Sequence, residues 1–227
     1  MAKTIGGVRG DNNAANKAAR SMLNELAFWG RVADYEVTKL TTKLSEQEII
    51  ERLGGADKTR GSCASLALAY AANKAGMNVL DFRDGQSRRF WATHFTSFAQ
   101  KFGGKIISDY NQIRATRSLL AEMKEGHEYI LSTGKHAAIV RKGAKGYEYL
   151  ELQDEPARNG FHPLDKHVLY DRFKADAYHT CRGRRTNTNS TLTDIRNIRD
   201  TEATRELMGS INTPVWAQHK GKGGGIK

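Results

Sequence analysis

The sequence predicts an α+β domain, in which helices pack on one side of a small antiparallel sheet. The order of the patterns is the first observation: helical periodicity dominates up to about residue 124, and strand patterns follow one another over residues 128–154. Glycines between these strand patterns are typical of tight antiparallel turns. The length of 227 residues is sufficient to bury one complete core.

The predicted helices share apolar residues at helical spacing and recognisable ends. Ser45, followed by a glutamate at the third position, is the signature of a capping box. Gly103 marks the C-terminal end of the helix predicted over 88–102. The predicted helices cover 11–29, 45–53, 63–75, 88–102 and 114–124, with one more near 200–208.

The predicted strands are short runs rich in β-branched and aromatic residues. The last three are separated by glycine-containing turns and therefore predict a meander of adjacent antiparallel strands. The predicted strands cover 31–41, 77–83, 105–108, 128–134, 136–143 and 146–154.

Composition divides the chain into three parts. Residues 1–44 are predicted to form an N-terminal arm of one helix and one strand, and residues 45–180 form the main domain. The third part is residues 181–227, which read RGRRTNTNSTLTD directly after Cys181 and end with HKGKGGGIK. This polar composition predicts a basic, partly disordered C-terminal extension.

Charge and cysteine content restrict the function classes. The chain has 36 Lys and Arg against 25 Asp and Glu, a net charge of +11, which favours an anionic partner such as nucleic acid or a capsid, bound through the basic tails. Two cysteines do not make a disulfide framework. No apolar window is long enough to span a membrane, and no signal peptide is evident, so a cytoplasmic or virion-associated protein is expected.

Cys63 is the first candidate for chemistry. It follows an Arg-Gly-Ser turn at the start of the alanine-rich helix within residues 60–76. The amides at a helix N-terminus favour a thiolate, so the position suits a nucleophile. The alternative is an inert core thiol, because Leu66 and Leu68 follow it and free cysteines are commonly buried.

His136 has the setting that a cysteine nucleophile requires. It follows a short turn and opens a predicted strand, which would deliver its ring to the sheet edge as a base for the thiol. The alternative is that His136 is a histidine on an edge strand with no catalytic role. A third residue would orient the ring, and Gln153 or Asp154 on the next strand is placed to do so, although both could simply cap the turn before Pro156.

The patterns GSCASLALAY, GKHAAIV and GYEYLELQDEP resemble the papain-like superfamily, and are most similar to its compact branch of papain-fold toxins and glutamine deamidases. The similarity covers about residues 45–180. It implies a papain-like fold and a catalytic set of Cys63, His136 and either Gln153 or Asp154. Where the family has a motif close to Asp-Pro-Gln, this sequence reads LQDEP. Either Gln153 or Asp154 could therefore be the residue that orients His136, and strand alternation favours Gln153. The segment around Cys63 also resembles domains attached to phage head-morphogenesis proteins.

The resemblance implies a cysteine amidohydrolase that acts on a protein glutamine or a peptide-type amide, as a phage- or bacterium-delivered toxin effector. No cofactor is expected, because the sequence has no P-loop, Rossmann glycine pattern or CxxC pair. No metal is expected either: Asp165 with His162 and His167 does not follow a ligand spacing, and Cys181 is interpreted as incidental. The alternative function is a non-catalytic basic protein that binds nucleic acid or a capsid.

Overall fold

The computed structural model describes residues 5–30, 32–54, 62–80 and 85–212, with side chains from residue 12 onward. This part of the chain contains seven α-helices and two one-turn 3-10 helices. The α-helices are α1 (Ile5–Trp29), α2 (Glu46–Leu53), α3 (Cys63–Lys74), α4 (Gly85–Lys101), α5 (Gln112–Ala121), α6 (Lys166–Asp171) and α7 (Glu202–Gly209). The 3-10 helices are Pro156–Arg158 and Ile195–Asn197.

The strands form one main sheet and two separate two-stranded pairs. The strands are β1 (Thr38–Lys39), β2 (Met77–Asn78), β3 (Lys105–Asp109), β4 (Glu128–Thr133), β5 (His136–Gly143), β6 (Gly146–Glu151), β7 (Gly160–Pro163), β8 (Thr180–Cys181), β9 (Arg184–Arg185) and β10 (Thr188–Asp194). The separate pairs are β1 with β2 and β8 with β9. The main sheet has the order β3-β10-β4-β5-β6-β7, and every pairing in it is antiparallel. The α+β class and the β4–β5–β6 meander are therefore confirmed.

Helices cover both faces of the main sheet, so the expectation of helices on one side only is wrong. Ile130 and Ile139 belong to the core shared with α1 to α4 and α7. Leu131 and Val140 belong to a second core, which they share with α5 and the region of α6. The apolar runs in β4 and β5 are nearly continuous, which is the pattern of strands buried on both faces.

The C-terminal region also differs from the prediction. Residues 188–212 are not an extension: β10 is an inner strand between β3 and β4, and α7 packs against α1. The polar side chains of β10 are buried: Ser190 Oγ bonds to Thr133 Oγ1 at 2.8 Å, whereas the buried hydroxyls of Thr191 and Thr193 have no hydrogen-bond partner among the described residues. Residues 213–227 lie outside the described part of the chain.

The predicted N-terminal arm is likewise part of the domain. Ala19 and Met22 of α1 are fully buried, and the helix begins at Ile5, earlier than expected. The strand predicted over 31–41 is reduced to β1, which pairs with the short β2, and residues 81–83 of the strand predicted over 77–83 lie outside the described residues. The capping box at Ser45 is confirmed, because its hydroxyl accepts from the Glu48 amide while Glu48 bonds back.

No helix within the described ranges combines the length and the apolar composition needed to cross a bilayer.

Candidate active site

The first turn of α3 presents Cys63 at the domain surface. Ser62 is the N-cap, and Cys63 is the first helical residue, with a half-buried side chain. The first backbone hydrogen bonds of α3 are those that the amides of Ser65 and Leu66 donate to the Ser62 carbonyl oxygen. Backbone amides that precede this ladder at a helix start are free to stabilise a negative charge, and here they belong to Cys63 and Ala64.

His136 is positioned by the tight turn between β4 and β5. Gly134 adopts a positive φ of 59°, and the Lys135 amide donates to the Phe173 carbonyl oxygen at 2.8 Å. His136 pairs with Thr133 across the hairpin. Its ring meets the Phe173 ring edge-on, with 4.9 Å between centroids, so the imidazole is buried on the sheet face that α6 covers.

Strands β5 and β6 separate near His136, and this leaves a gap between the two faces of the sheet. The β5–β6 ladder runs only from Val140–Tyr149 to Gly143–Gly146, although β5 starts at His136 and β6 ends at Glu151. The strands therefore separate toward the His136 end. A gap of about 10 Å³ opens there between α3 and the two strands, and it is lined by Cys63 and His136 together.

A larger cavity brings the same two residues together at the surface. It has a volume of about 310 Å³ and lies between the start of α3, the β4–β5 turn and α4, with Cys63 and His136 in its wall. Among the described residues, no hydrogen bond joins Cys63 Sγ to the His136 ring. In ligand-free enzymes catalytic hydrogen bonds are often long and tighten only with substrate.

A buried ion pair stands beside His136. Glu151 is 6% exposed and accepts two hydrogen bonds from Arg172, from Nε at 2.5 Å and from Nη2 at 2.7 Å. It also accepts the Gln153 amide at 2.8 Å. Arg172 Nη2 in addition donates to Gln153 Oε1 at 3.2 Å, so the pair fixes the end of β6 and the Gln153 side chain.

This environment keeps the imidazole neutral. Burial, followed by the positive charge of Arg172, lowers the pKa of His136 to about 4, against a smaller opposing effect of Glu151. Burial alone would raise the pKa of Glu151, but the hydrogen bonds from Arg172 and from the Gln153 amide hold it below its usual value. Arg172 is also within electrostatic range of Cys63.

The four sequence-predicted site residues separate into two groups. Cys63, His136 and Gln153 line the gap between β5 and β6. Asp154 does not line it: its side chain is 44% exposed and lies 3.9 Å from Arg158. Asp154 follows the end of β6 at Glu151, and its role in orienting His136 stays a prediction.

The remaining candidates have local structural roles. His162 Nε2 lies 2.6 Å from the Arg158 carbonyl oxygen, and Asp165 caps α6 through the Val168 amide. Cys181 is exposed on β8. Within the described residues, no group of three or more His, Cys, Asp or Glu side chains could hold a metal ion.

The sequence analysis missed the Glu151–Arg172 pair. Strand alternation put Glu151 on the same face as Gln153, but a buried glutamate is recognisable only through its partner. That partner is 21 residues later, beyond a 3-10 turn, a strand and a helix, and no sequence spacing indicates it.

A further cavity of about 570 Å³ lies at the opposite end of β5, beside Lys74, Arg141 and Lys142. Its described lining contains no cysteine, serine or threonine, so it offers no thiol or hydroxyl nucleophile, whereas the smaller cavity is lined by the Cys63 thiol.

Comparison of the chain with protein-family models, curated proteins and solved structures finds no match.

Proposed function

We propose that the protein is a cysteine amidohydrolase of papain-like type, acting on the carboxamide of a protein glutamine or on a peptide-type amide. One observation carries the proposal: a cysteine at a helix start and a histidine at a strand start line one surface cavity. A thiol nucleophile needs both a base and an oxyanion site, and this arrangement offers both.

The reaction is an acyl transfer in two halves. Neutral His136 takes the proton of the Cys63 thiol, and the sulfur attacks the amide carbon to form a C–S bond. The carbonyl oxygen becomes an oxyanion held by amides at the start of α3. The C–N bond then breaks, His136 returns the proton to the nitrogen, and ammonia or an amine leaves. Water deprotonated by His136 attacks the thioester, which releases a carboxylic acid and restores the thiol.

Gln153 and Arg172 are assigned supporting roles. Arg172 lies within electrostatic range of both Cys63 and His136, and its positive charge opposes an imidazolium in the resting protein. Gln153 lines the gap between β5 and β6, with its Oε1 held by Arg172. Its shared lining with His136 supports a role in orienting the imidazole.

The test is ammonia release from glutamine-containing peptides and proteins. Cys63→Ala and His136→Ala should each lower the rate by about 100-fold or more, the contribution expected of a nucleophile or a general base. Cys181→Ser is the matched control and should retain full activity. Hydrolysis that survives Cys63→Ala would refute the proposal.

A second candidate function, binding of single-stranded nucleic acid, is favoured by a surface on the β8–β9 hairpin. The Arg185 guanidinium lies 4.4 Å from the ring centre of Tyr178, which is 55% exposed, and 5.3 Å from that of Tyr110. Exposed arginine and tyrosine planes are the groups on which unpaired bases stack.

Fluorescence anisotropy with labelled single-stranded DNA tests this candidate. Arg185→Gln and Tyr178→Ala should each weaken binding about fivefold or more, because each removes a stacking partner. Lys142→Gln, which removes the same charge at a distant site, is the control. An equal loss of DNA binding in all three variants would contradict a defined binding surface at Arg185 and Tyr178.

A further inference from the structure

His127 lies outside the site at Cys63 and lines the larger cavity, of about 570 Å³. Its Nδ1 lies 3.3 Å from Asp194 Oδ2 and 3.4 Å from the Tyr129 hydroxyl oxygen. Among the described residues, no hydrogen bond or ion pair is found at Nε2 of this ring. A carboxylate beside Nδ1 favours the tautomer with the proton on that nitrogen, and Nε2 then has a lone pair available to accept a proton.

Asp194 is held in place independently of the histidine. It accepts hydrogen bonds from the Arg196 amide at 2.9 Å and from Arg196 Nη2 at 2.7 Å. Burial would raise the pKa of Asp194, but the hydrogen bonds from Arg196 and the charges of Arg196 and His127 hold it below its usual value. The carboxylate is therefore ionised at neutral pH, and the Asp194–His127 pair has the form of a general base with its orienting group.

The wall of this cavity is rich in cations that the fold already pairs. Two acidic side chains line it, Glu128 and Asp200, against five basic ones: Lys74, Arg141, Lys142, Arg196 and Arg199. Lys74, Arg141 and Arg196 each contact a carboxylate of the protein, so the wall attracts a resting anion only weakly. Cations that are fixed in this way remain able to stabilise additional negative charge that develops during a reaction.

The nucleophile of such a reaction has to come from outside the wall. The described lining has no thiol or hydroxyl side chain, so a general base here acts on water or on a hydroxyl group of the substrate. A hydroxyl group fixed next to the reacting centre is favoured over water, because intramolecular reactions reach effective concentrations of about 10⁵ M or more. RNA carries such a group, the 2′-hydroxyl beside each phosphodiester, and its attack adds negative charge around phosphorus.

We infer that this cavity is a separate catalytic site that cleaves RNA by transesterification, with His127 as the general base and Asp194 as its positioning residue. His127 Nε2 takes the proton of the 2′-hydroxyl, and the 2′-oxygen forms a bond to phosphorus. The bond between phosphorus and the 5′-oxygen breaks, and the departing oxygen takes a proton from water. The resulting hydroxide accepts the proton from His127, so the products are a 2′,3′-cyclic phosphate and a 5′-hydroxyl end.

Cleavage of a labelled RNA of mixed sequence, in the presence of a chelator that inhibits metal-dependent nucleases, tests the inference. The wild-type chain should release fragments that end in a 2′,3′-cyclic phosphate, identified by mass spectrometry. DNA of the same sequence should stay intact, because it lacks the 2′-hydroxyl. RNA left intact by the wild-type chain, or DNA cleaved at the same rate, would overturn the inference.

Variants locate the activity. His127→Ala should lower the rate about 100-fold or more, and added imidazole should restore part of it, which a purely structural role of the ring would not allow. His179→Gln is the matched control, because its Nδ1 lies 3.4 Å from Asp176 in the same kind of contact but the residue does not line this cavity. It should cleave RNA at the wild-type rate. Unreduced cleavage in His127→Ala would overturn the inference.

Asp194→Asn tests the positioning role, since it keeps a side-chain oxygen but removes the charge beside Nδ1. The rate should fall about tenfold or more. The acidic limb of the rate–pH profile should move to lower pH, because no carboxylate then stabilises the protonated ring. A profile that keeps its position would overturn the role of Asp194.

Discussion

At the residue scale, the neutral form of His136 distinguishes this site from one with a resting thiolate–imidazolium pair. Sequence reasoning placed a base beside Cys63 but could not decide its charge. The charge depends on burial against Phe173 and on Arg172, which comes from a distant part of the chain. A pKa of about 4 leaves the ring unprotonated at neutral pH but makes it a weak base for a thiol, because a general base works best when its pKa lies near the working pH. The proposed proton transfer therefore requires that the pKa of His136 rises when substrate binds.

The lowered pKa of His136 predicts a pH-dependent loss of stability. An unfolded histidine has a pKa near 6.5, whereas His136 in the folded chain has one of about 4. Between these values the unfolded chain binds more protons, so the free energy of unfolding falls as the pH falls from about 6.5 to 4. The loss is about 3 kcal/mol, from the equivalence of 1.36 kcal/mol per pKa unit.

Urea unfolding at several pH values, on the wild-type protein and on His136→Gln, measures this contribution. The wild-type protein should lose about 3 kcal/mol more than the variant between pH 6.5 and 4. Parallel curves for the two proteins would contradict a buried neutral imidazole.

Gln153 and Asp154 are separated by their positions. Gln153→Ala should lower kcat about tenfold or more, because it removes the residue placed to orient His136, while the pH profile keeps its shape. Asp154→Asn should leave both the rate and the profile unchanged, since its exposed carboxylate lies outside the cavity. Measurements of the rate against pH on both variants test this prediction. A shift of the alkaline limb of the rate–pH profile in Asp154→Asn would indicate instead that Asp154 acts on His136.

At the element scale, α3 and the β4–β5–β6 meander could be predicted because their signals are local. Glycines and a short polar turn delimit β4 and β5, and the run of small and apolar residues after Cys63 fixes α3. The divergence of β5 from β6 could not be predicted, because both strands keep a strand pattern beyond the point where their ladder ends at Val140–Tyr149. Cys63 and His136 both line the gap between these strands. Sequence periodicity therefore could not predict the geometry of the site.

The β4–β5 turn should be sensitive to a single methyl group. A Cβ at Gly134 would lie 2.3 Å from the Phe173 carbonyl oxygen, and the residue also has a positive φ. Gly134→Ala should therefore destabilise the fold by about 1 to 3 kcal/mol and lower activity by displacing His136. Thermal unfolding and peptide hydrolysis measure the two effects.

Gly126→Ala is the matched control for backbone strain. Gly126 also has a positive φ, but a Cβ there would meet nothing within 4 Å. The two variants share the conformational cost, and only Gly134→Ala adds the clash. Equal losses of stability and activity in both would contradict the close packing of the turn against Phe173.

At the scale of the whole molecule, composition was a poor guide to where the domain ends. The segment TNTNSTLTD was predicted to lie in a polar extension, yet it supplies β10 at the interior of the sheet. Its buried Ser190 hydroxyl bonds to that of Thr133 on the neighbouring strand. Hydropathy does not distinguish such a strand from a loop, because the hydrogen-bond partners come from distant segments.

Truncation tests the extent of the domain. A chain that ends at residue 187 loses β10 and α7, which leaves β3 and β4 without their shared neighbour and uncovers α1. We expect loss of the cooperative thermal transition. A chain that ends after Asn212 keeps every described element and should retain the transition, and cooperative unfolding of both truncated chains would contradict the assignment of β10 to the core.

Trapping of the acyl-enzyme tests the central claim most directly. A glutamine peptide that is hydrolysed is mixed with the protein, the reaction is stopped with acid, and peptide mapping by mass spectrometry locates any acyl group. The account predicts a thioester on Cys63 in the wild-type protein and none in His136→Ala, because the neutral imidazole must remove the thiol proton. Amide hydrolysis without acylation of Cys63, or acylation at another residue, would contradict it.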